Sequence, residues 1–207
     1  MATVSKPYYT EAEYVARERR ATYKSEYYRG EIFAMAGATR EHNLVAVNVA
    51  SRLVEQLRKT RCEVYPSDMR VRLPTGLYTY PDVSVACGEP RFLDDEVDTL
   101  LNPNVIVEVL SASTEAYDRG EKAQQYRSLE SLAHYVLIAS EKLHIEVHTR
   151  QANRQWLISE ASDLAATIEL PAINCRLSLA EVYDKVTLTQ QHTGRGIDEA
   201  AAKDQAR

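Results

Sequence analysis

The stretch Asn104-Val105-Ile106-Val107-Glu108-Val109-Leu110-Ser111-Ala112-Ser113-Thr114 decides how this chain folds. Val105 to Leu110 is a β-branched and aliphatic run broken by a single carboxylate. It is too apolar for a strand with one wet face, so it reads as a central strand covered on both sides. A lone carboxylate in such a strand is expensive unless a cation or several donors compensate it, which makes Glu108 conspicuous. The turn that follows is rich in hydroxyls. Ser111, Ser113 and Thr114 are suited to fixing a carboxylate or to binding a phosphate oxygen.

A second run of the same kind lies upstream, Tyr80-Pro81-Asp82-Val83-Ser84-Val85-Ala86-Cys87. Proline is tolerated where a strand begins, because its missing N–H costs no central ladder bond. Asp82 therefore sits at a strand edge, within reach of a cation. Two carboxylates converging from adjacent strands form an oxygen-ligand site suited to Mg²⁺ or Mn²⁺. The same pattern also fits an arginine salt bridge at Glu108 and a turn cap at Asp82. Downstream, Asp118-Arg119-Gly120-Glu121-Lys122 leads into a helix over about Arg119 to Leu129, bringing Lys122 back towards the end of the strand. Glu31 and His42 could face the same end of the sheet.

Working outward, the chain alternates helical and strand-like segments, an α/β pattern. Thr10-Glu11-Ala12-Glu13 reads as a capping box for a helix to about Arg20. Two short runs around Arg29-Gly30 suggest a hairpin. From His42 to about Lys59, Leu44, Val45, Val47, Val49, Leu53, Val54 and Leu57 recur at helical spacing. Strands are expected at Cys62–Tyr65, Met69–Leu73, Tyr135–Ile138, Leu143–His148 and Gln155–Ile158, with a last helix at Leu177–Tyr183. Gly88 to Pro103 reads as an acidic excursion loop with one helical turn. His144 and His148 are expected on one exposed strand face. Residues 1–188 read as one domain, and the polar residues 189–207 as a disordered tail.

The bulk numbers fit this picture. A chain of 207 residues suffices for one sizeable core, and a hydrophobic fraction of 44% is ordinary for a globular protein. No apolar run approaches the ~20 residues that span a bilayer, so no membrane contact is expected. The N-terminus becomes charged where a signal peptide needs an apolar core, which points to the cytoplasm. The 3 cysteines are odd in number and widely spaced, which argues against a disulfide framework, with Cys62 and Cys87 as plain core residues. A formal charge of -5 speaks against a broad basic nucleic-acid face. The arginine clusters at Arg17, Arg19 and Arg20, at Arg58, Lys59 and Arg61, and at Arg70 and Arg72 read as solvated faces. The 13 tyrosines and the apolar strands could build a homodimer interface.

Taken in linear order, Gly30-Glu31, His42, Pro81-Asp82-Val83, Val107-Glu108-Val109-Leu110-Ser111-Ala112-Ser113-Thr114 and Tyr117-Asp118-Arg119-Gly120-Glu121-Lys122 with Tyr126-Arg127 resemble the Uma-type putative restriction endonuclease family. That family belongs to the PD-(D/E)XK nuclease superfamily. The resemblance runs from about Tyr9 to Val186. It implies a restriction-endonuclease-like mixed central β-sheet flanked by helices, with a metal site at one end. Asp82 and Glu108 would be metal ligands with the Val109 carbonyl, and Glu31 or Glu26 would match the acid supplied by the N-terminal region. The superfamily lysine falls on Leu110, which can do no charge chemistry, and Lys122 is the matching residue in the Uma-type pattern. His42, Ser111, Ser113 and Thr114 would support the site. The expected activity is Mg²⁺-dependent hydrolysis of DNA. The alternative is a nuclease fold that binds nucleic acid or regulates without cleaving. A self-associating structural protein is a further alternative.

Overall fold

The computed structural model describes residues 7–189, so the expected disordered tail lies, from residue 190 on, outside the described residues. Thr10 caps helix α1 (Glu11–Glu18) through the expected reciprocal box. Its hydroxyl oxygen accepts from the Glu13 N–H, and the Glu13 carboxylate accepts from the Thr10 N–H. The hairpin follows as β1 (Ser25–Tyr28) and β2 (Glu31–Ala34). Arg29 and Gly30 both take positive φ, 48° and 89°, the two-residue turn whose twist matches an antiparallel pair. Thr39 then caps α2 (Arg40–Leu57) by accepting from the His42 N–H. Val45, Val49, Leu53 and Leu57 are buried on this helix, one to each turn. Val47 and Val54, part of the apolar pattern in sequence, face solvent instead.

The chain continues through β3 (Cys62–Pro66), β4 (Arg70–Arg72), β5 (Tyr78–Thr79), β6 (Val83–Cys87), β7 (Thr99–Leu100) and β8 (Val105–Leu110). A continuous helical stretch over 115–126 comprises α3 (Glu115–Tyr117), one π-helical turn (Asp118–Lys122) and α4 (Ala123–Tyr126). Then come β9 (His134–Ala139), β10 (Ile145–Arg150), β11 (Trp156–Ala161), β12 (Thr167–Leu170), β13 (Cys175–Ser178) and α5 (Leu179–Val182).

Six strands form the main sheet in the order β11-β10-β9-β8-β6-β3, and five form a second in the order β2-β1-β5-β4-β7. Both are mixed. In the main sheet only β8 and β9 run parallel, joined through the helical stretch that carries Lys122; in the second, β4 and β7 are parallel. Every residue of β8 and β9 is buried, as a run apolar on both faces requires. Val107 and Val109 face α2, β12–β13 and α5. Ile106 and Leu110 face α4 and the second sheet. Glu108 has their parity and so points to that second face.

Three expectations are corrected. Leu177 and Ser178 pair in β13 with β12, and the helix expected there begins only at Leu179. The loop from Gly88 to Pro103 holds the short strand β7 and no helical turn. Cys62 and Cys87 form a disulfide, because the antiparallel register of β3 and β6 sets them directly opposite. Their spacing in sequence hides this; Cys175 alone among the cysteines is free, and it is buried.

The tyrosines are mostly core. Tyr14, Tyr27 and Tyr78 pack together, and Tyr126 meets Tyr135, with ring centroids 5.1 Å apart. No helix among the described residues is long and apolar enough to cross a membrane.

Candidate metal centre

The register of β6 against β8 creates the site. Val83 pairs with Val107, so one step further in the same register Asp82 comes opposite Glu108. Asp82 Oδ2 accepts from the Val109 N–H at 2.7 Å. In an extended strand a residue's N–H and C=O point the same way, so the Val109 carbonyl also faces Asp82. His42, in the first turn of α2, brings Nε2 to 3.3 Å from Asp82 Oδ2. Burial opposes the charged imidazole, but the Asp82 carboxylate outweighs it and raises the His42 pKa. His42 Nδ1 is buried with no hydrogen-bond partner.

Glu108 is 4% exposed. Tyr126 donates to its Oε1 at 2.7 Å, and Lys122 Nζ lies 2.9 Å from the same oxygen. Burial pushes the Glu108 carboxyl up to about 8, against the pull of the Lys122 ammonium. Lys122 also stands 3.1 Å from Glu26 and 3.7 Å from Asp118. Burial disfavours its charge, yet Glu108, Glu26 and Asp118 together hold its pKa well above the usual lysine value. The π-turn makes this possible. It sets Asp118 and Lys122 at i and i+4 on one face, both buried against the sheet.

Sequence reasoning missed Asp118. It is buried, its pKa is raised by that burial, and the Thr114 hydroxyl works in the opposite direction. The signal was present: an acid four residues before a lysine on a helix faces the same way. Glu26, not Glu31, is the hairpin acid that meets Lys122; Thr79 also donates to it. Glu31 lies further along, opposite Tyr28, and lines a separate cavity of about 320 Å³ with Tyr9, Arg17 and Tyr23. In the turn after β8, Ser111 Oγ lies 3.0 Å from Ser113 Oγ and 3.1 Å from Thr114 Oγ1. That hydroxyl cluster borders the acids.

The donor set suits a hard divalent cation. Carboxylate oxygens from Asp82 and Glu108 and the Val109 carbonyl are the ligand chemistry that Mg²⁺ and Mn²⁺ prefer. Burial of a carboxylate calls for a compensating positive charge, which Lys122 supplies in this structure. A second group, His144, Glu146 and Glu160, brings its ligand atoms within 4.8 Å of one another. There the Glu146 oxygens are already taken, by Arg119 and by His148. His148 is thus buried and hydrogen-bonded to Glu146, where an exposed strand residue was expected.

A family model described as Uma2, putative restriction endonuclease, matches residues 11–181. Two uncharacterized proteins of Synechocystis are similar. One is 38% identical over 161 residues, 77% of this chain and 91% of that protein; the other is 36% identical over 176 residues, 83% and 89% respectively. The crystal structure of a putative nuclease of the DUF820 group from Anabaena variabilis superposes with a TM-score of 0.70. It is 16% identical, covers 86% of this chain and 99% of its own, and so bears on the fold alone.

Proposed function

We propose that this chain, which belongs to the Uma2 family of putative restriction endonucleases, is a metal-dependent endonuclease hydrolysing phosphodiester bonds in DNA. The observation that carries this is Glu108, an acid buried in a central strand opposite Asp82, with Lys122 2.9 Å away. An ordinary structural ion pair needs no second acid opposite it and no third and fourth acid around the same lysine.

Asp82 and Glu108 would hold Mg²⁺ or Mn²⁺, with the Val109 carbonyl as a further donor. Such an ion supplies Lewis acidity, activating water and offsetting charge on the reacting phosphoryl group. His42 orients Asp82 from α2, and the Asp82–Val109 hydrogen bond fixes the carboxylate against β8. Tyr126 donates to Glu108 and so helps to orient it. Lys122, paired with Glu108 and Glu26, would donate to an oxygen of the phosphate as negative charge builds. Ser111, Ser113 and Thr114 offer hydroxyls to a neighbouring phosphate.

A fold that binds DNA without cleaving it gains support from Leu110, where the superfamily motif has lysine. The arrival of Lys122 from another element weakens that objection. The test is cleavage of plasmid and linear DNA with Mg²⁺ or Mn²⁺. Asp82→Ala and Glu108→Ala should each lower the rate by roughly 10²-fold or more, and Lys122→Met by about 10²–10³-fold. Unchanged cleavage in the first two variants would sink the assignment, and salt-sensitive binding with no turnover would favour the non-cleaving fold.

A further inference from the structure

We infer that Phe33 and Tyr117 stack an unpaired base beside the acidic cluster, so that the substrate is single-stranded or locally unpaired DNA. This rests on the nuclease reading above and names the substrate class of the same site. Phe33 is 47% exposed and Tyr117 38%. Phe33 stands directly opposite Glu26 across the β1–β2 hairpin, and residues opposite one another in an antiparallel pair project from the same face. Glu26 in turn contacts Lys122. Tyr117 reaches the same ammonium from the helical stretch, its ring centroid 5.9 Å from Lys122 Nζ. Two solvent-facing rings from separate elements thus border the lysine and acids that would handle the scissile phosphate.

Charge argues for the same substrate. Duplex DNA is gripped mainly through phosphate contacts from lysine and arginine. Here Arg19, Arg52, Arg70, Arg72, Arg119 and Lys142 are each engaged by the protein's own carboxylates, and the chain carries a formal charge of -5. Base stacking would add affinity that these paired cations do not supply. Stacking of a base on an aromatic ring is worth about 1–3 kcal/mol and is open only to bases freed from the duplex.

The full-length Asp82→Asn protein, to suppress turnover, would be titrated with 2-aminopurine-labelled single strand, the matching duplex, and a duplex with an unpaired bubble. Fluorescence quenching is expected for the single strand and the bubble, with at least ~10-fold tighter binding than to duplex. Adding Phe33→Ala or Tyr117→Ala should weaken single-strand binding by roughly 5- to 100-fold, while Phe33→Tyr and Tyr117→Phe retain it. Equal affinity for duplex and single strand overturns the proposal, as do alanine variants that bind like their parent. Wild-type cleavage with Mn²⁺ separates the two ideas. Loss of stacking-dependent binding in the alanine variants with no cleavage of any substrate keeps the stacking surface and rejects the nuclease. Cleavage that prefers duplex and ignores both rings keeps the nuclease and rejects the stacking surface.

Discussion

At the scale of single residues, Lys122 decides how the centre behaves. Its ammonium is the counter-ion of two buried acids, Glu108 and Asp118, and of the partly buried Glu26. Removing one partner of a buried ion pair costs about 3–5 kcal/mol, because the remaining charges are left without compensation. Lys122→Met should therefore lose roughly that much stability in the presence of a chelator. Mn²⁺ should then restore more stability to the variant than it adds to the wild type, since it supplies the missing charge. Urea denaturation of both proteins with and without Mn²⁺ measures this. Equal responses to Mn²⁺ in the two proteins would mean that lysine and metal answer to different acids.

Among the elements, the long ones were legible and the short ones were not. The capping box at Thr10, the stripe of α2 and the apolar runs of β8 and β9 each carry a local signature that tertiary contacts reinforce. Tyr78–Thr79 and Thr99–Leu100 are two-residue strands with no period to read. Thr167–Leu170 and Cys175–Ser178 escape because they are short, and because Ser178 ends a strand and starts a helix in one step. The pair Asp82 and Glu108 was legible through what surrounds it; Asp118 was not, because an aspartate at a helix start looks solvated until the π-turn folds it inward. The Cys62–Cys87 bond depends on a strand pairing that spacing alone cannot reveal. His134 tests whether β9, β10 and the turn after β12 are locked as described. It is buried at the start of β9, its Nε2 accepting from the Ala172 N–H at 3.1 Å, so Nδ1 carries the proton towards Thr149 Oγ1, 3.2 Å away on β10. Burial lowers its pKa to about 4. The unfolded chain, with histidine near 6.5, takes up a proton that the native protein refuses. Stability is therefore full above pH ~6.5 and declines as pH falls to about 4, by roughly 3 kcal/mol. Urea titrations across that range should show the decline, and His134→Gln should flatten this part of it. A wild-type profile identical to that of the variant would place His134 in water.

For the whole molecule, two mixed sheets and the helical stretch between β8 and β9 serve to gather acids from four places in the chain. Glu26 comes from a hairpin, Asp82 and Glu108 from neighbouring strands, and Asp118 from the crossover. The most direct test is calorimetric titration of Mn²⁺ into the wild-type protein and into Glu108→Gln, which keeps shape and removes the charge. A functional centre requires saturable binding to the wild type and at least a ~10-fold loss of affinity in the variant. Indistinguishable binding curves, or no binding to either protein, would contradict a metal centre at Asp82 and Glu108.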